Sequence, residues 1–107
     1  PGSPSVLTNV PVQIEQHVEW ITKCIKFLEK NKRQSIESTN EAAKKWQKEI
    51  TSSVKQTLFM KAKSSWYKGD NIPGKSKSFL PYPGGMPKYR KACLKVEKSN
   101  YKELKII

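Results

Sequence analysis

The run from about Val12 to Lys30 constrains this chain's fold more than any other stretch. Ile14, Val18, Ile21, Ile25 and Leu28 recur at alternating spacings of four and three, the period of one helix face. Trp20, Cys24 and Phe27 make a second apolar stripe beside the first. Two neighbouring stripes form a face too wide for one shallow contact, so the helix needs cover on more than one side. Hydrophobic residues make up only 36% of the 107, which leaves little to supply that cover. The expectation is a thin core, or a surface borrowed from a larger body.

The rest of the chain can be read around that helix. Residues Pro1 to Pro11 carry three of the seven prolines, Pro1, Pro4 and Pro11, with Gly2 between, and read as an extended or looped segment. Asn31-Lys32-Arg33 closes the first helix. Ser38-Thr39-Asn40-Glu41 reads as a capping box, with Ser38 the N-cap and Glu41 the acid at N3. A second helix then runs to about Gln56, with Ala42, Trp46, Ile50 and Val54 on one face. Phe79-Leu80-Pro81-Tyr82 reads as an edge strand, since Pro81 excludes a central one. A third helix is expected from Met86 or Pro87 to Ser99, its apolar face Met86, Tyr89, Cys93 and Val96, with Asn100 as its stop. The tail from Tyr101 to Ile107 partly alternates and reads as a terminal strand. The fold class is mainly α with short edge strands. One segment holds all 107 residues: a loop over 1–11, two helices over 12–60, a loop and edge strand over 61–82, and a helix and strand over 83–107.

Ser65 to Lys75 is the least periodic and most chemically pointed stretch. Gly69, Pro73 and Gly74 punctuate it as a structured loop with a Pro-Gly turn. Its adjacent Trp66 and Tyr67 either pack back on the core or cover a ligand.

The formal net charge is +12, supplied almost wholly by lysine. Nucleic acid or an anionic lipid surface would suit so basic a chain. The lysines, however, are spread over every segment and interleaved with glutamates, without the run of like charges that marks a basic arm. Neither nucleic acid nor a membrane is expected as a partner. Cys24, Cys93 and His17 do not have metal-ligand spacing. Both cysteines read as reduced core residues of a cytoplasmic protein, and His17 as structural. No apolar run is long enough to span a membrane. The first residue is Pro1 rather than Met, which suggests a processed protein or a piece of a longer one. No catalytic set is evident.

Several uncommon strings carry a resemblance. These are Pro4-Ser5-Val6-Leu7-Thr8-Asn9, Ile14 to Ile21, and Ser65-Trp66-Tyr67 with Gly69 and Asn71 to Lys75. Gly84-Gly85, Tyr89-Arg90 and Tyr101 add to them. In order and spacing they resemble the C-terminal part of type I Baeyer–Villiger monooxygenases. The resemblance implies a parent flavoprotein with two Rossmann-like domains, binding FAD and NADPH. It implies conversion of a small-molecule ketone to an ester or lactone with dioxygen. The helices would pack on the FAD domain, so the rest of the same chain is the implied partner. Trp66 would bond to the nicotinamide cofactor from a closing loop, and Lys75 would add charge near a phosphate. Ser5, Val6 and Leu7 would line the substrate side, and Val10 would lie against the flavin through its backbone. Two departures stand out: the family often has Met where this chain has Val10, and Ala where it has Asp70. Both dinucleotide fingerprints and the family's catalytic arginine lie outside these residues, and neither Arg33 nor Arg90 takes that role. No catalytic residue is therefore expected in this segment, which should be inactive alone. The alternatives are a related flavin-dependent N- or S-oxygenating monooxygenase, or a small basic module binding nucleic acid or anionic lipid.

Overall fold

A computed structural model describes residues 2–63 and 65–107. The three expected helices are present: α1 at Val10–Lys30, α2 at Asn40–Val54 and α3 at Met86–Lys98. Two short strands, β1 at Ile36–Ser38 and β2 at Leu104–Ile106, pair antiparallel with Glu37 opposite Lys105. Single 3-10 turns lie at Ser5–Leu7, Leu58–Lys61 and Trp66–Lys68.

Helix α1 begins two residues before the expected start. Asn9 is its N-cap and accepts a bond from the Val12 amide, so Val10 and Pro11 belong to the first turn. Proline is tolerated there because first-turn amides have no helical partner. The cap of α2 is Thr39, which accepts from the Ala42 amide at 3.1 Å, and not Ser38. Ser38 is instead drawn into β1, opposite Leu104. The terminal strand is present, but Phe79 to Tyr82 is not a strand. That stretch is bound on two sides by isolated hydrogen bonds. Gly2 donates to the Leu80 carbonyl at 2.8 Å, Tyr82 donates to Ser3, and Leu80 donates to Tyr67.

Two packing centres result. In one, α1 lies on α3 through Trp20, whose indole Nε1 donates to the Cys93 carbonyl at 3.0 Å. Tyr101, 1% exposed, closes this centre against Trp20 and Phe27. Asn100 and Tyr101 both adopt left-handed backbone, which turns the chain from α3 into β2. The second centre is Ile50, Val54, Phe79 and Tyr82, with Leu7, Trp46, Phe59, Tyr67 and Tyr89 packed around it. Trp46 and Tyr82 stack nearly parallel at 5.0 Å. Tyr89 touches Trp46, Tyr82 and His17 and so joins the two centres. His17 is thus an aromatic-packed residue, and Cys24 and Cys93 are free thiols. Burial pushes both thiols' pKa values up.

Only one stripe of α1 is used in this packing. Val10, Ile14, Val18, Ile21 and Ile25 stay 41–57% exposed, on a face rotated by about a third of a turn from the buried one. Among the described residues, nothing supplies the expected cover on a second side of the helix.

Candidate functional site

The loop after α2 is organised from its own backbone. Ser65 caps the Trp66–Lys68 turn by accepting from the Tyr67 amide, and Gly69 ends it at φ +69°, a conformation that favours glycine. Ser78 then donates to the Lys68 carbonyl and Leu80 to the Tyr67 carbonyl, so the outgoing limb is bound to the turn. Tyr67 packs inward on Phe59 and Phe79. Trp66 lies against Tyr67 with ring centres 4.0 Å apart and remains 56% exposed. One aromatic anchors the loop, and the other is left as a plate on its surface.

Lys75 is exposed, and its side-chain carbons fold across Gly69. Asp70 turns inward. Its side chain is 4% exposed, with Lys68 Nζ 3.0 Å from Oδ2 and Lys77 Nζ 3.7 Å from Oδ1. The Lys68 ammonium is the main reason its carboxyl is held below the ordinary range.

The N-terminal segment reaches the same centre. Its backbone binds Leu80 and Tyr82, and Leu7 packs on the Ile50 cluster. Ser5 adopts φ +51°, a rare conformation for a non-glycine residue. Val6 is 58% exposed between half-buried Ser5 and Leu7. Buried Gln13 holds the segment, accepting from Thr8 Oγ1 at 3.3 Å and donating to Ser3 Oγ at 3.4 Å. Residues 5–7 and 66 therefore sit on two segments tied to the same stretch, residues 79–82. Val10 opens α1, where its amide has no helical partner. The role of Gln13 was not legible in sequence, since a glutamine ahead of an apolar stripe carries no mark of burial. Among the described residues, no group of three or more His, Cys, Asp or Glu could hold a metal ion. No helix of the structure is long and apolar enough to cross a membrane.

No family model matches the chain. It is 42% identical over 89 residues to a cyclohexanone 1,2-monooxygenase from Acinetobacter sp., covering 83% of this chain and 16% of that protein. It is 39% identical over 103 residues to a Baeyer–Villiger monooxygenase from Pseudooceanicola batsensis, covering 96% and 19%. It is 38% identical over 100 residues to a phenazine N-monooxygenase from Lysobacter antibioticus, covering 94% and 18%. Among solved structures, an oxidised steroid monooxygenase bound to NADP matches all of this chain and 19% of its own, with a TM-score of 0.88 and 34% identity. OTEMO in complex with FAD and NADP matches with a TM-score of 0.85 and 26% identity, again over all of this chain and 19% of its own. The chain thus spans less than a fifth of the length of these relatives.

Proposed function

We propose that this chain, which corresponds to one segment of the Baeyer–Villiger monooxygenase family, is the C-terminal part of an FAD- and NADPH-dependent enzyme that oxygenates ketones to esters or lactones. The observation that carries this reading is what the chain leaves uncovered after building its own cores. The α1 stripe and the Trp66 plate both remain open. An exposed apolar stripe of this length, on a helix whose other apolar stripe is already packed, marks a surface for another body. The body that fits is the cofactor-binding remainder of a monooxygenase, which makes up over four-fifths of the relatives' length.

The residues suit a nicotinamide nucleotide. Trp66 offers a broad apolar face and one N–H donor. Five lysines and one acid lie between Lys61 and Lys77, a balance that favours phosphate. In this reading Trp66 covers the nicotinamide end, and Lys75 lends charge near a phosphate. Ser5, Val6 and Leu7 form a wall of the substrate pocket, and the Val10 amide faces the flavin. FAD, reduced by NADPH, supplies the oxygen-transfer chemistry when bound. This segment supplies the cover that orients the nucleotide and excludes water. It contributes no reacting side chain and is inactive alone. Two free thiols suit a reducing cytoplasmic compartment.

A second reading is N-oxygenation, favoured by the similarity to the phenazine enzyme. The test uses the full-length protein. It should be yellow and oxidise NADPH faster with a cyclic ketone than with a phenazine or other aromatic nitrogen heterocycle. Trp66→Ala should raise the KM for NADPH about tenfold, the scale of one lost hydrogen bond plus stacking area. A colourless protein, or ketone-independent NADPH oxidation unaffected by Trp66→Ala, would refute the proposal.

A further inference from the structure

Between Glu49 and Glu97 the chain carries nine lysines, one arginine and a single acidic residue, Asp70. In a loop this basic a lone carboxylate would ordinarily be solvated among the surrounding ammonium groups. Here it is the most deeply enclosed charged side chain of the loop, at 4% exposure, while Lys77 is 74% exposed and Lys68 16%. Both its oxygens are closed off from solvent, and neither receives a well-directed hydrogen bond. The enclosed charge is balanced by the two lysines alone. Removing Lys68 would leave the enclosed carboxylate with only the longer contact to exposed Lys77, so the Asp70–Lys68 pair is the tighter half of the arrangement.

The two lysines come from opposite limbs. Lys68 ends the turn that presents Trp66, and its Nζ also bonds to the Ala62 carbonyl on the incoming chain. Lys77 lies on the outgoing limb, beside Ser78, whose amide binds the Lys68 carbonyl. The Asp70 amide reaches back to the Ser65 carbonyl. Residues 62, 65, 68, 70, 77 and 78 are thus drawn together around the turn that carries Trp66.

We infer that Asp70 is a positioning residue for the Trp66 loop: its enclosed carboxylate clips Lys68 and Lys77 together and fixes the turn on which the indole is presented. The clip organises the loop before any nucleotide arrives, so less ordering is left for binding. Its effect on the cofactor rests on the reading of the loop given under Proposed function, but the clip itself does not.

The test uses the full-length protein and two readouts. The first is amide hydrogen exchange at Ser78 and Leu80 without nicotinamide nucleotide, which reports the loop closure alone. The second is the KM for NADPH against kcat. Asp70→Asn and Lys68→Met should each speed exchange at Ser78 and Leu80 about tenfold, the size expected for losing one interaction with a charged group. The KM for NADPH should rise about five- to tenfold with kcat and flavin content little changed, and Asp70→Glu should recover part of both effects. Lys77→Met, at an exposed position and a longer distance, should give about a twofold rise in exchange. Unchanged exchange in Asp70→Asn and Lys68→Met overturns the clip. Faster exchange with an unchanged KM for NADPH upholds the clip and overturns the cofactor-covering role of the loop. If Asp70→Asn fails to retain flavin, Lys77→Met decides: a rise in exchange supports the clip and no rise overturns it.

Discussion

The open stripe of α1 gives the sharpest prediction. Val18 and Ile21 lie side by side at its centre, 57% and 51% exposed. Fully burying such a side chain contributes about 1.5–3 kcal/mol, so covering the remaining half contributes about 1 kcal/mol each. Val18→Ala with Ile21→Ala should therefore weaken docking of this segment by about 2 kcal/mol, roughly thirtyfold in the equilibrium. Val18→Asp with Ile21→Asp should be far more severe. Every position of the stripe is apolar, so two carboxylates would be buried with no cation opposite them from α1. The control is Glu19→Ala with Lys26→Ala, on the solvated face of the same helix, expected within about 0.5 kcal/mol of wild type. The assay is thermal release of flavin fluorescence from the full-length protein, with NADPH oxidation measured in parallel. The alanine pair should lower the release temperature by a few degrees, and the aspartate pair should yield protein without stable flavin. An aspartate pair indistinguishable from the control would show that the stripe faces solvent, and the reasoning from its exposure would fail.

Two further predictions concern the aromatic centres. A Cβ at Gly84 would lie 2.6 Å from the Tyr82 ring, which is held by stacking on Trp46, so Gly84→Ala should destabilise by about 1–3 kcal/mol in chemical denaturation. Burial raises the Tyr101 phenol to about 12, so the folded state keeps its proton where the unfolded chain loses it. The corresponding stability is complete below pH 10 and should fall as pH rises from about 10 to 12, a slope that Tyr101→Phe should remove from an alkaline unfolding series.

The helices were legible because their stripes are periodic. The double stripe of α1 also signalled that something beyond one contact was required. Which stripe this chain would cover itself was not legible, because Trp20, Cys24 and Phe27 are no more apolar than Ile14, Val18 and Ile21. That choice is made by the Trp20 bond to the Cys93 carbonyl and by Tyr101, both more than seventy residues away in sequence. The misplaced cap has a similar cause. Ser38 is locally the slightly better cap, and its pairing with Leu104 in the sheet passes the role to Thr39. Pro11 was read as excluding a helix, although at the second helical position it only removes an amide that had no partner. Asp70 could be seen as unusual by charge alone. Its partners could not, because Lys68 is only two residues away and reaches it through the left-handed turn at Gly69.

The N-terminal segment shows the same dependence on a few polar atoms. Gln13 and Gln16 are both buried, at 6% and 7%, on the face of α1 that carries Trp20, Cys24 and Phe27. An apolar residue at position 13 would bury as well but could not select one register of the chain lying over it. Gln13 selects one, because its amide engages Thr8 and Ser3 on either side of the Ser5–Leu7 turn. Within that turn Ser5 holds a left-handed backbone, which costs of order 1–3 kcal/mol and persists only where the surroundings enforce it. The Gly2 and Ser3 bonds to Leu80 and Tyr82 provide the enforcement on one side, and the Leu7 side chain in the Ile50 cluster provides it on the other. Between these anchors Val6 is turned outward. If register were carried by Leu7 alone, Gln13→Leu would leave the turn in place. With the glutamine as the selector, Gln13→Leu should release the strain at Ser5 and let Val6 swing from its outward position while the helix itself stays folded.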